Sequence, residues 1–113
     1  PLTTVLEPDE LLVEIEVPAL PEGTRAAFVE QARTHGDFAI AGAAVVLAPG
    51  RGAAIALLGG GATVARASAA ERAVLAGASP LEAARLAVVG VDGDYRRALL
   101  TELVRRAVAA ALP

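Results

Sequence analysis

The rhythm of apolar positions changes once along this chain, near residue 67. Before that point apolar residues alternate or run unbroken, and after it they recur every three or four positions. From Leu11 to Val17, Val13, Ile15 and Val17 alternate with Glu14 and Glu16. This predicts a half-buried strand with three β-branched side chains on one face and two acids on the other. Pro18-Ala-Leu-Pro-Glu-Gly23 ends it, because Pro donates nothing to a ladder and Gly tolerates positive φ. Arg25 to Arg33 fits two patterns. Ala26, Ala27, Phe28 and Ala32 suit a helix, Phe28-Val29 suits a strand, and periodicity does not decide between them. Thr34-His-Gly-Asp37 is turn chemistry. Phe38 to Leu47 is a long apolar run closed by Pro49-Gly50-Arg51-Gly52, and Ala53 to Leu58 resumes it, so the pair predicts a hairpin packed under helices.

Helical punctuation follows. Ser68 and Glu71 have capping-box spacing and Gly77 supplies a stop. Ser79, Pro80 and Glu82 repeat the device, and Gly90 closes it. Asp94 is placed to cap a third helix, in which Tyr95, Leu99, Leu103 and Ala107 recur every four residues with Leu100, Val104 and Val108 beside them. Strands over about 11–58 and helices over about 68–112 together predict an α+β fold, with a three- to four-stranded antiparallel sheet carrying three helices on one face. At 113 residues the chain is one domain, 1–113.

Composition narrows the function classes. Roughly a quarter of the residues are Ala, so the core is thin, and only Phe28, Phe38 and Tyr95 offer aromatic bulk. There is no Cys, which removes disulfides, thiolate metal sites and cysteine nucleophiles and fits a reducing, cytoplasmic compartment. The ten Arg are scattered among acids, Lys is absent and the net charge is −3, which argues against nucleic acid as a partner. No apolar run reaches the length of a bilayer span, so no membrane partner is expected. Met is absent even at position 1, and the chain reads as a piece of a longer polypeptide.

Candidate chemistry is sparse. Gly59-Gly60-Gly61 lies between an apolar run and a helix, where free amides can hold a phosphate, but no Lys-Ser/Thr pair follows, and a turn is the simpler reading. His35 and Asp37 are spaced for a carboxylate to orient an imidazole. No third ligand or reactive partner stands nearby, and Asp37 is equally suited to bonding its own backbone. The two serines, Ser68 and Ser79, are both explained by capping, so no hydrolase triad is visible. Arg96-Arg97 and Arg105-Arg106 are about two and a half helical turns apart, either a solvated face or a stripe toward an acidic partner.

In order, the strings Leu11-Leu-Val-Glu-Ile-Glu-Val-Pro18, Ala32-Arg33 through Gly36-Asp37-Phe38-Ala39, Ala43-Ala-Val-Val-Leu47, Ile55-Ala-Leu with the glycine run, the Arg66 to Gly77 segment, and Tyr95-Arg-Arg with Leu103-Val-Arg-Arg-Ala107 cover nearly the whole chain. Their succession resembles the C-terminal domain of the FAD-binding medium subunit of the molybdenum hydroxylases, the family of carbon monoxide dehydrogenase and xanthine dehydrogenase. The resemblance implies a small sheet backed by three helices, with Arg25 to Arg33 a strand. It also implies a fragment of a longer flavoprotein subunit whose FAD is gripped mainly by glycine-rich loops outside this chain. The partners it implies are that N-terminal FAD-binding region, an iron–sulfur subunit with [2Fe–2S] clusters and a subunit with the molybdenum cofactor. Electrons would pass from the molybdenum centre through the clusters to the flavin. Arg33, His35 and Asp37 are the residues it places near the flavin, although Thr34 stands where relatives often carry a second Arg. By this reading the chain has no catalytic residue of its own. The alternative is a stand-alone interaction or oligomerisation module without catalytic activity.

Overall fold

The computed structural model describes residues 3–113 as β1 (Arg25–Ala32), β2 (Ala39–Ala48), β3 (Gly52–Leu58), β4 (Ala65–Arg66), α1 (Ser68–Leu75), α2 (Pro80–Ala87) and α3 (Asp94–Ala111). The strands form one antiparallel sheet in the order β1-β2-β3-β4. The expected α+β architecture is therefore present. Its fourth strand, however, is the two-residue β4 and not the segment from Leu11 to Val17.

That segment is the largest departure from the sequence pattern. Residues 11–20 carry no regular structure, and Val13, Ile15 and Val17 are 83%, 76% and 82% exposed. Alternation assigns side chains to faces, but a strand also needs a neighbour for its backbone groups, and among the described residues none makes a backbone hydrogen bond to this segment. A radius of gyration of 15.4 Å, against about 13 Å expected for a compact chain of this length, is in keeping with this exposed stretch.

Arg25–Ala32 is a strand because β2 takes it up in register, Phe28 opposite Ala44 and Val29 opposite Ala43. Those pairings define the two faces of the sheet. The row Val29, Ala43, Leu57 faces the helices, and Ala43 and Leu57 are buried. The neighbouring row Phe28, Ala44, Ala56 faces away from them. Helices α1 and α3 pack on the sheet, and α2 packs on α1 and α3. Ile55, Val45, Leu100, Val104 and Val108 are the largest fully buried side chains. All three aromatic residues are mainly exposed, Tyr95 included, although it heads the apolar stripe of α3. The buried hydrophobic core is aliphatic throughout, and Ala41, Ala43, Ala70, Ala83, Ala84, Ala107 and Ala111 are completely buried in it.

Helix ends match the sequence signals in part. Ser79 and Glu82 form the full capping box, the Ser79 hydroxyl accepting from the Glu82 amide at 3.3 Å and the Glu82 carboxylate accepting from the Ser79 amide at 2.8 Å. Gly77, at φ +89°, ends α1 as expected. Ala78 donates to the Ala73 carbonyl and Gly77 to that of Val74, the paired bonds of a Schellman turn. Ser68 does not cap α1: the N-cap is Ala67, whose amide is taken by the Ile55 carbonyl at 2.8 Å, and Glu71 is drawn elsewhere. Nor does Asp94 cap α3, where Gly93 holds the N-cap position and Asp94 pairs with Arg97 at 3.3 Å.

Candidate functional site

The turn between β1 and β2 holds the three residues that the sequence singled out. Gly36, at φ +86°, reverses the chain, and the Asp37 amide closes the turn on the Thr34 carbonyl at 3.2 Å. The Asp37 carboxylate accepts from the Phe38 amide at 2.8 Å and so serves its own backbone. His35 and Asp37 make no hydrogen bond to each other, so the oriented imidazole that their spacing allows is not formed. Arg33 and His35 are exposed and make no hydrogen bond or ion pair to any described residue. Residues 30–36 line an open, polar depression of about 410 Å³. Its free donors suit a polar or anionic group presented by another body, but a depression this shallow does not enclose a dinucleotide.

The glycine run is explained by packing. A Cβ at Gly59, which has φ +74°, would run into the Ile40 carbonyl, and one at Gly60 would press on Leu100 at 3.3 Å. Residues 62–64 and β4 separate the run from α1, so it does not open onto a helix N-terminus as a phosphate loop must. The Gly59 carbonyl accepts from Arg96, which further ties the run to α3.

The arginines of α3 are likewise engaged within the chain. Arg105 and Arg106 both donate to Glu102, Arg105 at 2.8 Å through two nitrogens and Arg106 at 2.7 Å. Those two partners, Arg105 first, hold the Glu102 carboxyl down at about 2. Arg97 donates to the Val91 carbonyl at 2.9 Å. All four arginines thus spend donors within the chain, although only Asp94 and Glu102 balance their charge.

Two features escaped the sequence reading. Glu71 is buried, and its carboxylate accepts from the Arg66 guanidinium at 2.6 Å and from the Ile55 amide at 2.9 Å, joining α1 to β3 and β4. The Arg66 hydrogen bond, with help from the Ile55 amide, lowers its pKa against the opposing effect of burial. No local spacing signals this, since Ile55 is sixteen residues away. The second is an open apolar cleft of about 580 Å³ between the β2–β3 turn and the ends of α1 and α3, with Leu47, Pro49, Leu75 and Leu112 among its walls. Beside it Arg25 donates to the Ala111 carbonyl at 2.9 Å, a cation at a helix C-terminus.

Among the described residues no group of three or more acidic, His or Cys side chains is arranged to hold a metal, and no helix is long and apolar enough to cross a membrane.

Comparison with known proteins gives a consistent relationship. The chain is 40% identical, over an alignment 122 positions long, to the 6-hydroxypseudooxynicotine dehydrogenase complex subunit alpha of Paenarthrobacter nicotinovorans, covering 93% of this chain and 41% of that protein. It is 35% identical to the carbon monoxide dehydrogenase medium chain of Hydrogenophaga pseudoflava, over 96% of this chain and 43% of that one. The solved structure of the Hydrogenophaga pseudoflava carbon monoxide dehydrogenase that lacks the Mo-pyranopterin moiety of its molybdenum cofactor superposes with a TM-score of 0.80 at 38% identity. That superposition covers 96% of this chain and 44% of the matched chain. The chain thus spans less than half the length of the relatives it matches. No family model matches it.

Proposed function

Because the chain is homologous to part of the medium subunit of carbon monoxide dehydrogenase-type molybdenum hydroxylases, we propose that it is the structural and interface domain of an FAD-carrying oxidoreductase subunit. In this reading it lies beside a flavin held mainly by residues outside the chain. The observation that carries the proposal is the sheet. Its strands are apolar on both faces, as in sheets buried on both sides, yet the helices cover only one. The other face presents Ala26 and Phe28 from β1, Ala44 and Val46 from β2, and Ala54, Ala56 and Leu58 from β3, with Glu30 at the edge. A surface of this kind fits a second body, here the FAD-binding region of the same subunit.

The Arg33–Asp37 turn is the part of the chain we assign to the flavin side. Bound there, the flavin supplies the electron-accepting chemistry. The free donors of Arg33 and His35 are fitted to meet a polar edge of the cofactor and to tune its potential through charge and hydrogen bonding. Electrons reaching the flavin from a molybdenum centre through [2Fe–2S] clusters, carried by partner subunits of one cytoplasmic complex, complete the proposal.

The test is flavin content. The complete subunit is expected to retain FAD in stoichiometric amount and to lose most of it on Val46→Asp, which sets a charge into the apolar face. The 113-residue chain mixed with FAD is expected to form no stoichiometric yellow complex. Tight binding by the chain alone, or full flavin retention in the Val46→Asp subunit, overturns this assignment of roles.

A further inference from the structure

The cleft between the β2–β3 turn and the ends of α1 and α3 draws its apolar walls from four parts of the chain: Leu47 of β2, Pro49 of the turn, Val74 and Leu75 of α1, and Leu112 just beyond α3. Its volume of about 580 Å³ lies within the range of small-ligand pockets, roughly 300–1,000 Å³. Leu75 is 62% exposed, so part of this wall is bare to water. Glycines keep the space between the walls clear. A Cβ at Gly23 would touch Pro49 at 3.5 Å and one at Gly52 would touch Leu75 at 3.9 Å, and both residues have positive φ.

One charge interrupts this apolar surface. The sheet register sets Arg25 opposite Leu47, at the end of the row that continues toward the helices with Ala27 and Val29. Among the described residues no acid lines the cleft, and Arg25 is the one ionisable side chain that does. Its Nε donates to the Ala111 carbonyl at 2.9 Å, and its side chain makes no other hydrogen bond or ion pair to any described residue. The two terminal nitrogens of a planar guanidinium are therefore left unmatched, in a plane already fixed by the bond to α3.

We propose that this cleft binds a small amphipathic monocarboxylate, with its hydrocarbon body against Leu47, Pro49, Leu75 and Leu112 and its carboxylate on the terminal nitrogens of Arg25. Three features select that chemistry. The walls favour hydrocarbon, and the unmatched cation favours an anion. Two parallel donors match the two oxygens of a carboxylate. The C-terminal end of α3 beside them carries partial negative charge, which favours a monoanion over a dianion such as a phosphate ester. The site lies at the end of the sheet opposite the Arg33–Asp37 turn, since β1 runs from Arg25 to Ala32 over roughly 23 Å. It goes beyond the proposed function and does not rest on it.

Calorimetric titration of the complete subunit with sodium octanoate tests this, with octan-1-ol, hexanoate and octyl phosphate as comparison probes. One saturable site is expected, which binds octanoate about tenfold or more tighter than octan-1-ol, about fourfold or more tighter than hexanoate, and tighter than octyl phosphate. Arg25→Met should weaken octanoate about tenfold and leave octan-1-ol within about twofold. Leu75→Asp, at an exposed position that folding does not need, should weaken octanoate by at least about tenfold, and it decides the matter if Arg25→Met does not fold. No saturable binding, equal affinity for octanoate and octan-1-ol, or octanoate binding that survives Leu75→Asp unchanged overturns the proposal. Flavin content, read by absorbance on the same samples, keeps the two readings apart. A subunit that holds FAD and binds no octanoate overturns this site alone, whereas one that binds octanoate through Arg25 and holds no FAD supports the site and defeats the proposed function.

Discussion

Strand β2 and the segment from Leu11 to Val17 are both rich in apolar side chains and both bounded by Pro or Gly, yet their fates are opposite. In β2, Ala41, Ala43 and Val45 are completely buried, because β1 and β3 satisfy its backbone on either side and α3 covers its face. In the N-terminal segment, the cleaner alternation of the two, every apolar side chain is exposed. Charges repeat the contrast. Glu71 is buried between a guanidinium and a backbone amide, whereas Glu14 and Glu16 make no hydrogen bond or ion pair to any described residue. The difference teaches that alternation specifies which side chains share a face, while stability comes from what covers that face and closes the ladder.

The sharpest way to break the comparison is to truncate one large side chain in each region. Leu100→Ala should lower unfolding free energy by about 2–5 kcal/mol in urea titrations of the chain, whereas Ile15→Ala should change it by less than about 0.5 kcal/mol. Equal losses would mean that the N-terminal segment packs on the domain after all. Next in size is Glu71→Gln, expected to cost about 1–3 kcal/mol, because the Ile55 amide and the Arg66 guanidinium lose a charged acceptor. The pH profile carries its own sign. Since the pKa of Glu71 is lowered by folding, its contribution is present above the ordinary carboxylate value and fades as pH falls through the folded one. The two proteins should therefore converge in acid, and a gap that widens there would refute the assignment.

The two helix-start serines give a smaller contrast. Ser79→Ala should cost about 1 kcal/mol by thermal melt, against a few tenths for Ser68→Ala, whose side chain caps nothing. Smallest is Glu102→Gln on the solvent face of α3. Its effect should shrink as salt is added, and it should vanish as pH falls toward about 2, where the wild-type carboxylate takes up its proton.

Much of this was readable in advance for local reasons. The β2–β3 hairpin follows from two apolar runs about Pro49-Gly50-Arg51-Gly52, and the α2 start from Ser79, Pro80 and Glu82, signals that act within four residues. The Arg33–Asp37 turn was legible as a turn for the same reason. That His35 and Asp37 do not join was not, because each side chain had other directions open to it. Ser68 with Glu71 shows the limit most plainly: the spacing was right for a capping box, but Arg66 and Ile55 offered Glu71 a charged and a buried donor, and those won.

The sequence by itself determined the hairpin, the three helices and their order, because turn chemistry, caps and helical periodicity are properties of neighbouring residues. Periodicity left Arg25–Ala32 open and the family resemblance favoured the strand that formed; only the tertiary structure decided that Glu71 binds across sixteen residues, that the glycine run is tight because Ile40 and Leu100 crowd it, and that the finest alternating segment stands unpaired. Each of these depends on a partner distant in the chain, and a local pattern carries no information about whether that partner is in reach.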